Sequence, residues 1–166
     1  LRRVDWSSGL ESWLSHNGID IRDTLVLDDR NAMFPAPVTR ESGDYEFRDV
    51  KMVNYPYFLD IRRSGIAAHA LSGSLPQVTL AWASPLEVER RDNRRVSKLL
   101  WSSPRAWLSD SPEITPTVDA AGRSIAFQPE DGVARQAHDL GALVQGRFQS
   151  YFDSPPVRSG VPGFNS

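Results

Sequence analysis

Apolar positions fall in short runs along this chain. The most extended uncharged run is Leu75-Pro76-Gln77-Val78-Thr79-Leu80-Ala81-Trp82-Ala83-Ser84-Pro85. β-Branched and aromatic residues bounded by prolines are the pattern of a strand buried on both faces. A second run, Val96-Ser97-Lys98-Leu99-Leu100-Trp101, follows it, and we take the two as the centre of a sheet. Thr24-Leu25-Val26-Leu27 reads as a further strand. Val50 and Met52 alternate with polar residues, as do Tyr57, Leu59 and Ile61. This period of two predicts a half-buried strand over residues 47–62, broken at Pro56. Leu140–Gly146, running on through Phe148 and Tyr151-Phe152, predicts the last strand.

The helical period is rarer. Leu10, Trp13 and Leu14 share a face at i, i+3, i+4. Ser8 and Glu11 before them form the S-x-x-E capping box, and Asn17-Gly18 supplies the stop. Ser64–Leu71 predicts a short helix stopped at Gly73, and Ser103-Pro104 opens a short turn carrying Ala106, Trp107 and Leu108. Helix, glycine stop and strand over residues 8–27 make an α/β unit. The expected fold is therefore α/β, or α+β, with a mixed central β-sheet and few helices. Residues 32–44, with Pro35, Pro37 and Gly43, read as a loop, as do residues 109–123. Glu87–Arg95 reads as an exposed, hairpin-like connection, and residues 153–166 as a flexible tail after a single domain over 1–152.

Composition narrows the function classes. A hydrophobic fraction of 40% and a charged fraction of 24% are ordinary globular values. The net charge is −2 with the signs interspersed, so no basic stripe points to nucleic acid. Zero cysteines exclude thiol catalysis, disulfides and cysteine-ligated metal. No run approaches the ~18 apolar residues of a membrane helix. The chain starts at Leu1 with no initiator Met, and we expect it to be a piece of a longer protein.

Candidate chemistry is sparse. Asp28-Asp29-Arg30-Asn31 follows a strand, where open α/β sheets place ligand or metal sites, but a solvated turn suits these residue types better. His69 lies near Ser72 and Ser74, yet Leu71-Ser72-Gly73-Ser74-Leu75 does not match the strained G-x-S-x-G turn of a serine nucleophile. We expect a surface or satisfied histidine there. His138-Asp139 is an acid/base pair by composition, but neighbours on an extended chain point to opposite sides. Asp28, Asp29, Glu130 and Asp131 could serve a carboxylate-dependent hydrolase if two of them converged. Arg90, Arg91, Arg94 and Arg95 could grip phosphate, against the alternative of an exposed mixed-charge loop. Tyr55, Tyr57, Trp101 and Trp107 are candidates for a partner or ligand surface, with Trp82 a further stacking platform for sugar or peptide. Core packing competes with that role at each of them. No phosphate loop, dinucleotide fingerprint or H-E-x-x-H motif occurs.

Several segments line up in order. Leu14-Ser15-His16-Asn17-Gly18-Ile19, followed by Leu25-Val26-Leu27-Asp28, resembles an "LL-x-x-x-G-I … V-V-D" segment. Lys51–Ile61 with its Tyr-Pro-Tyr-Phe resembles an aromatic-proline strand. Leu99-Leu100-Trp101-Ser102-Ser103-Pro104-Arg105-Ala106-Trp107 resembles "L-L-x-T-S-x-x-x-W", and Leu143–Phe152 resembles "A-L-x-G-x-F-x-S-x-F". The family carrying these motifs is the auxiliary component of uncharacterised ABC transport systems, including the gliding-motility protein GldG. The resemblance spans residues 10–152. It implies a bacterial envelope protein with an extracytoplasmic domain, part of a class I glutamine-amidotransferase-like fold without the catalytic cysteine. It further implies membrane anchorage through segments outside this chain, and partnership with ABC permease and ATPase subunits. It carries over no catalytic, cofactor-binding or metal-binding residue.

Overall fold

A computed structural model describes residues 2–3, 7–42, 45–118, 127–129 and 131–152. Helix α1 (Glu11–His16) comes first, then strands β1 (Ile19–Ile21), β2 (Leu25–Leu27), β3 (Asn31–Ser42) and β4 (Tyr45–Arg62). After a 3-10 turn at Arg63–Gly65 come β5 (Gln77–Ala81), β6 (Leu86–Val88), β7 (Arg94–Trp101), β8 (Trp107–Ser109) and β9 (Asp139–Gly146). The described residues are thus mostly strands in small sheets with a single short helix, a mixed α/β fold. β3-β4-β5 form one sheet, and β1-β6, β2-β8 and β7-β9 form pairs. Each of these ladders is antiparallel.

The β3–β4 ribbon is the largest element, and it corrects the loop expected over residues 32–44. Pro35 and Pro37 lie on β3, opposite Met52 and Val50. Proline removes a backbone donor, which an edge strand tolerates on its unpaired side. Residues two apart direct their backbone the same way, and β3 is an edge strand, so both prolines are accommodated. The break expected at Pro56 takes the form of a register shift. Asn31 pairs with Leu59 but Met33 pairs with Asn54, so residues 55–58 bulge out opposite Ala32.

The core lies on both sides of β2. Leu25 and Leu27 pack with Tyr55, Tyr57, Trp107 and Ile114. Val26, between them, packs with Leu59, Ile61, Ile66 and Ala106. β2 is therefore the strand buried on both faces, the role expected of Leu75–Pro85. β5 is instead an edge strand with alternating exposure, and Leu75 and Trp82 at its ends are 39% and 42% exposed. Its outward positions, Gln77 and Thr79, are uncharged but polar, which made the run look more buried than it is. β5 and β7 lie in separate sheets, and the centre of the three-stranded sheet is β4. Within β4, Tyr57, Leu59 and Ile61 are buried as their alternation requires, whereas Val50 and Met52 are 62% and 55% exposed.

Three further expectations change. Ser64–Leu71 forms turns rather than a helix, because Ile66 bridges Leu100 and the Ala67 N–H donates to the Leu99 carbonyl at 2.9 Å. Gly65 permits that approach, since a Cβ there would stand 2.3 Å from the Trp101 carbonyl oxygen. The turn expected at Ser103-Pro104 does form, closed by the Ala106 N–H on the Ser103 carbonyl at 3.2 Å, but Trp107–Ser109 leave it as β8 paired with β2. The last strand ends at Gly146, whose positive φ of 146° and missing Cβ admit the Asn93 carbonyl, so Phe148 and Tyr151-Phe152 leave the ladder. The helix stop at Gly18 forms as predicted, with φ 74° and its N–H on the Ser15 carbonyl at 2.8 Å. The tail expected over 153–166 lies outside the described residues.

Candidate functional site

The aromatic residues nominated for contact divide sharply. Tyr55 and Tyr57 are fully buried and Trp107 is 4% exposed, so core packing describes these three and their rings are not surface. The bulge around Pro56 turns both tyrosines inward from β4. The Tyr55 hydroxyl donates to the Ile114 carbonyl at 2.7 Å and accepts from the Trp82 indole N–H at 3.3 Å. Tyr57 lies 5.4 Å from the Tyr55 ring centroid. Burial pushes both hydroxyls above their ordinary titration range. Trp101, on β7 opposite Asp139, is half-buried. Trp82 packs edge-on against Phe58 with centroids 5.1 Å apart while keeping part of its face open. A cleft of about 450 Å³ runs beside Tyr57, Trp107, Ser109 and Phe127.

The groups nominated for chemistry are held by structural bonds. Asp28 is 2% exposed. One oxygen accepts the Ser103 N–H at 2.7 Å, and the other accepts the Ser103 hydroxyl at 2.6 Å and the Arg30 N–H at 2.9 Å. The carboxylate thus ties the end of β2 to the turn before β8. Asp29 meets Arg135 at 2.9 Å and Arg105 at 3.6 Å. Asn31 closes the Asp28-Asp29 turn and accepts the Tyr55 N–H at 2.9 Å, so a turn forms as expected, but Asp28 is buried in it rather than solvated. His69 accepts the Leu71 N–H on Nδ1 at 3.2 Å, as a satisfied histidine does, and Ser72 donates to the Ala67 carbonyl at 2.9 Å. His138 is 8% exposed, and burial first, then the nearby Arg22, holds its pKa below the ordinary value. Asp139 turns to Lys98 at 2.6 Å, so the two neighbours do not form a dyad. Asp131 lies in an exposed turn, and Glu130 lies outside the described residues. Among the described residues, no group of three or more His, Asp or Glu could hold a metal ion.

One surface feature escaped the sequence reading. Leu10 and Trp13, on the shared apolar face of α1, are 56% and 44% exposed. Their helix is met by the segment after β9. The Ser12 hydroxyl lies 2.9 Å from the Tyr151 hydroxyl, and the His16 ring stands edge-on to Tyr151 at 5.5 Å. The turn before β7 completes the corner. Arg94 donates to the Asn17 carbonyl, donates through Nε to the Arg147 carbonyl at 3.3 Å, and lies 4.3 Å over the Phe148 ring. Phe148, Tyr151 and Phe152 are 49%, 40% and 56% exposed. The helical period of Leu10, Trp13 and Leu14 was visible. What the pattern lacked was any signal that, among the described residues, Leu10 and Trp13 on that face stay exposed.

The capping box is half formed. The Ser8 N–H donates to Glu11 at 2.8 Å, as the motif requires, but the Ser8 hydroxyl accepts from the Leu10 N–H at 3.2 Å. The backbone N–H of Glu11 itself, then the Ser8 N–H and the Ser8 hydroxyl, which donates to the carboxylate at 3.0 Å, hold the Glu11 pKa down to about 2.

No curated protein and no solved structure matches this chain. A family model does, over residues 2–164, nearly the whole length. Its description is an ABC-type uncharacterized transport system. On that match, the chain belongs to the ABC-transport auxiliary family.

Proposed function

We propose that this chain is a non-catalytic, extracytoplasmic accessory domain of a bacterial ABC transport system of the GldG-like gliding-motility kind. The family match over residues 2–164 carries this reading. The structure supports it at the residues where chemistry was sought. Asp28 is occupied by Ser103 and Arg30, Asp29 by arginines, His69 by its own turn, and His138 is buried with its pKa held down by that burial. The domain occupies residues 1–152, and the ABC permease and ATPase subunits are its partners at the inner membrane. Membrane segments outside this chain anchor it on the periplasmic side, and its work is done by surface contact. Isolation of the full-length protein from solubilised membranes tests the reading. Permease and ATPase subunits are expected to come with it, and their consistent absence would overturn the assignment.

A further inference from the structure

We propose that the corner built from α1, the turn at Asp92-Asn93 and residues 147–152 docks on the surface of an anionic lipid bilayer. The proposal stands apart from the transport reading and rests on the side chains of the corner. Trp13, Phe148, Tyr151 and Phe152 are each at least 40% exposed, and the bonds through Ser12, His16 and Arg94 join them into one patch. Amphipathic Trp and Tyr with Phe are the residues that settle at the headgroup level of a membrane.

The charge around the patch selects the kind of bilayer. Arg90, Arg95 and Arg147 are exposed and make no ion pair among the described residues. Arg94 bonds backbone carbonyls rather than a carboxylate, so its charge is not cancelled locally. Of the nearby acidic groups, Glu89 is neutralised by Arg91 at 2.6 Å, which leaves Asp92 in the turn and Glu11 on α1 as two carboxylates against Arg90, Arg94, Arg95 and Arg147. The whole chain carries a net charge of −2, so this excess of arginine is a local feature of the corner. Arginines beside exposed aromatic rings match lipid phosphates beside acyl chains, with each cation near such a surface adding attraction. The outward guanidinium groups bind headgroup phosphate while the rings enter the interface.

Sedimentation of the chain with vesicles tests this. Vesicles of phosphatidylcholine with phosphatidylglycerol are compared with phosphatidylcholine alone, at low and at high salt. Binding is expected on the anionic vesicles, weakened by salt because the surface charges are screened. The double variant Arg95→Glu/Arg147→Glu should lower that binding by roughly tenfold or more. The double variant Trp13→Ser/Phe152→Ser should lower it on the same vesicles at both salt concentrations. An unchanged thermal midpoint of both variants shows that the fold is kept. Equal binding to neutral vesicles, no binding to either, or variants that bind like the parent would each overturn the proposal.

Discussion

Two groups of aromatic residues behave in opposite ways in this molecule. Tyr55, Tyr57 and Trp107 are buried to 4% exposure or less, and Trp13, Tyr151 and Phe152 lie at 40% or more. Residue type does not separate them, since both groups contain Tyr and Trp. Position relative to β2 does. The first group sits on strands that flank a doubly buried strand, so its rings meet partners on several sides. The second sits on a helix of 6 residues and a segment beyond the last ladder, where Tyr151 meets Ser12, His16 and Phe152 and much of each ring is left to solvent. An aromatic ring buries where the sheet gives it a second layer, and stays on the surface where the chain does not.

That contrast can be broken or sharpened by substitution. The largest effect is expected in the buried group. Tyr55→Ala removes a fully buried ring and the hydroxyl that links Trp82 to Ile114, and should cost about 3–5 kcal/mol in equilibrium unfolding. Asp28→Ala comes next. It leaves the Ser103 N–H and hydroxyl without their buried acceptor, a loss of about 2–3 kcal/mol by chemical denaturation.

His138 adds a pH dependence of defined sign. Its folded pKa lies below the ordinary value of 6.5, because burial favours the neutral ring. Above that value both states are neutral at this residue, and the shift has no effect. As pH falls below it, the unfolded chain takes up a proton that the folded chain resists, so stability declines. Melting temperature should therefore fall as pH is lowered through 6.5, and the variant His138→Gln should flatten that part of the profile.

A smaller effect concerns β3. Its prolines sit on the sheet edge, where they withhold donors that a second chain could pair with. The double variant Pro35→Val/Pro37→Val should fold, and should self-associate more strongly in analytical ultracentrifugation. Unchanged association would show that the exposed face of the ribbon, rather than its edge, governs contact.

Local pattern revealed some of this and missed the rest for identifiable reasons. Leu25-Val26-Leu27 and Leu140–Gly146 are strands because their apolar runs are short and bounded, and that is a local property. The Gly18 stop and the break at Pro56 were legible for the same reason. β3 was not, because Pro35 and Pro37 look like loop residues until the strand is known to lie on an edge. The turns at Ser64–Leu71 were not, because the bond from Ala67 to Leu99 is tertiary. At the candidate site, the structural role of Asp28 depends on Ser103, which lies far along the chain and gives no local signal. The exposed corner depends on three segments meeting, α1, the turn before β7 and the stretch after β9, and none of them marks the others in sequence.

Equilibrium unfolding of Tyr57→Ala beside Trp13→Ala tests the division between core and surface most directly. Tyr57→Ala should lose about 3–5 kcal/mol of stability, the cost of deleting a buried aromatic ring. Trp13→Ala should change it by no more than about 0.5 kcal/mol, as an exposed position does. Similar losses in the two variants would contradict the assignment of one ring to the core and the other to a free surface.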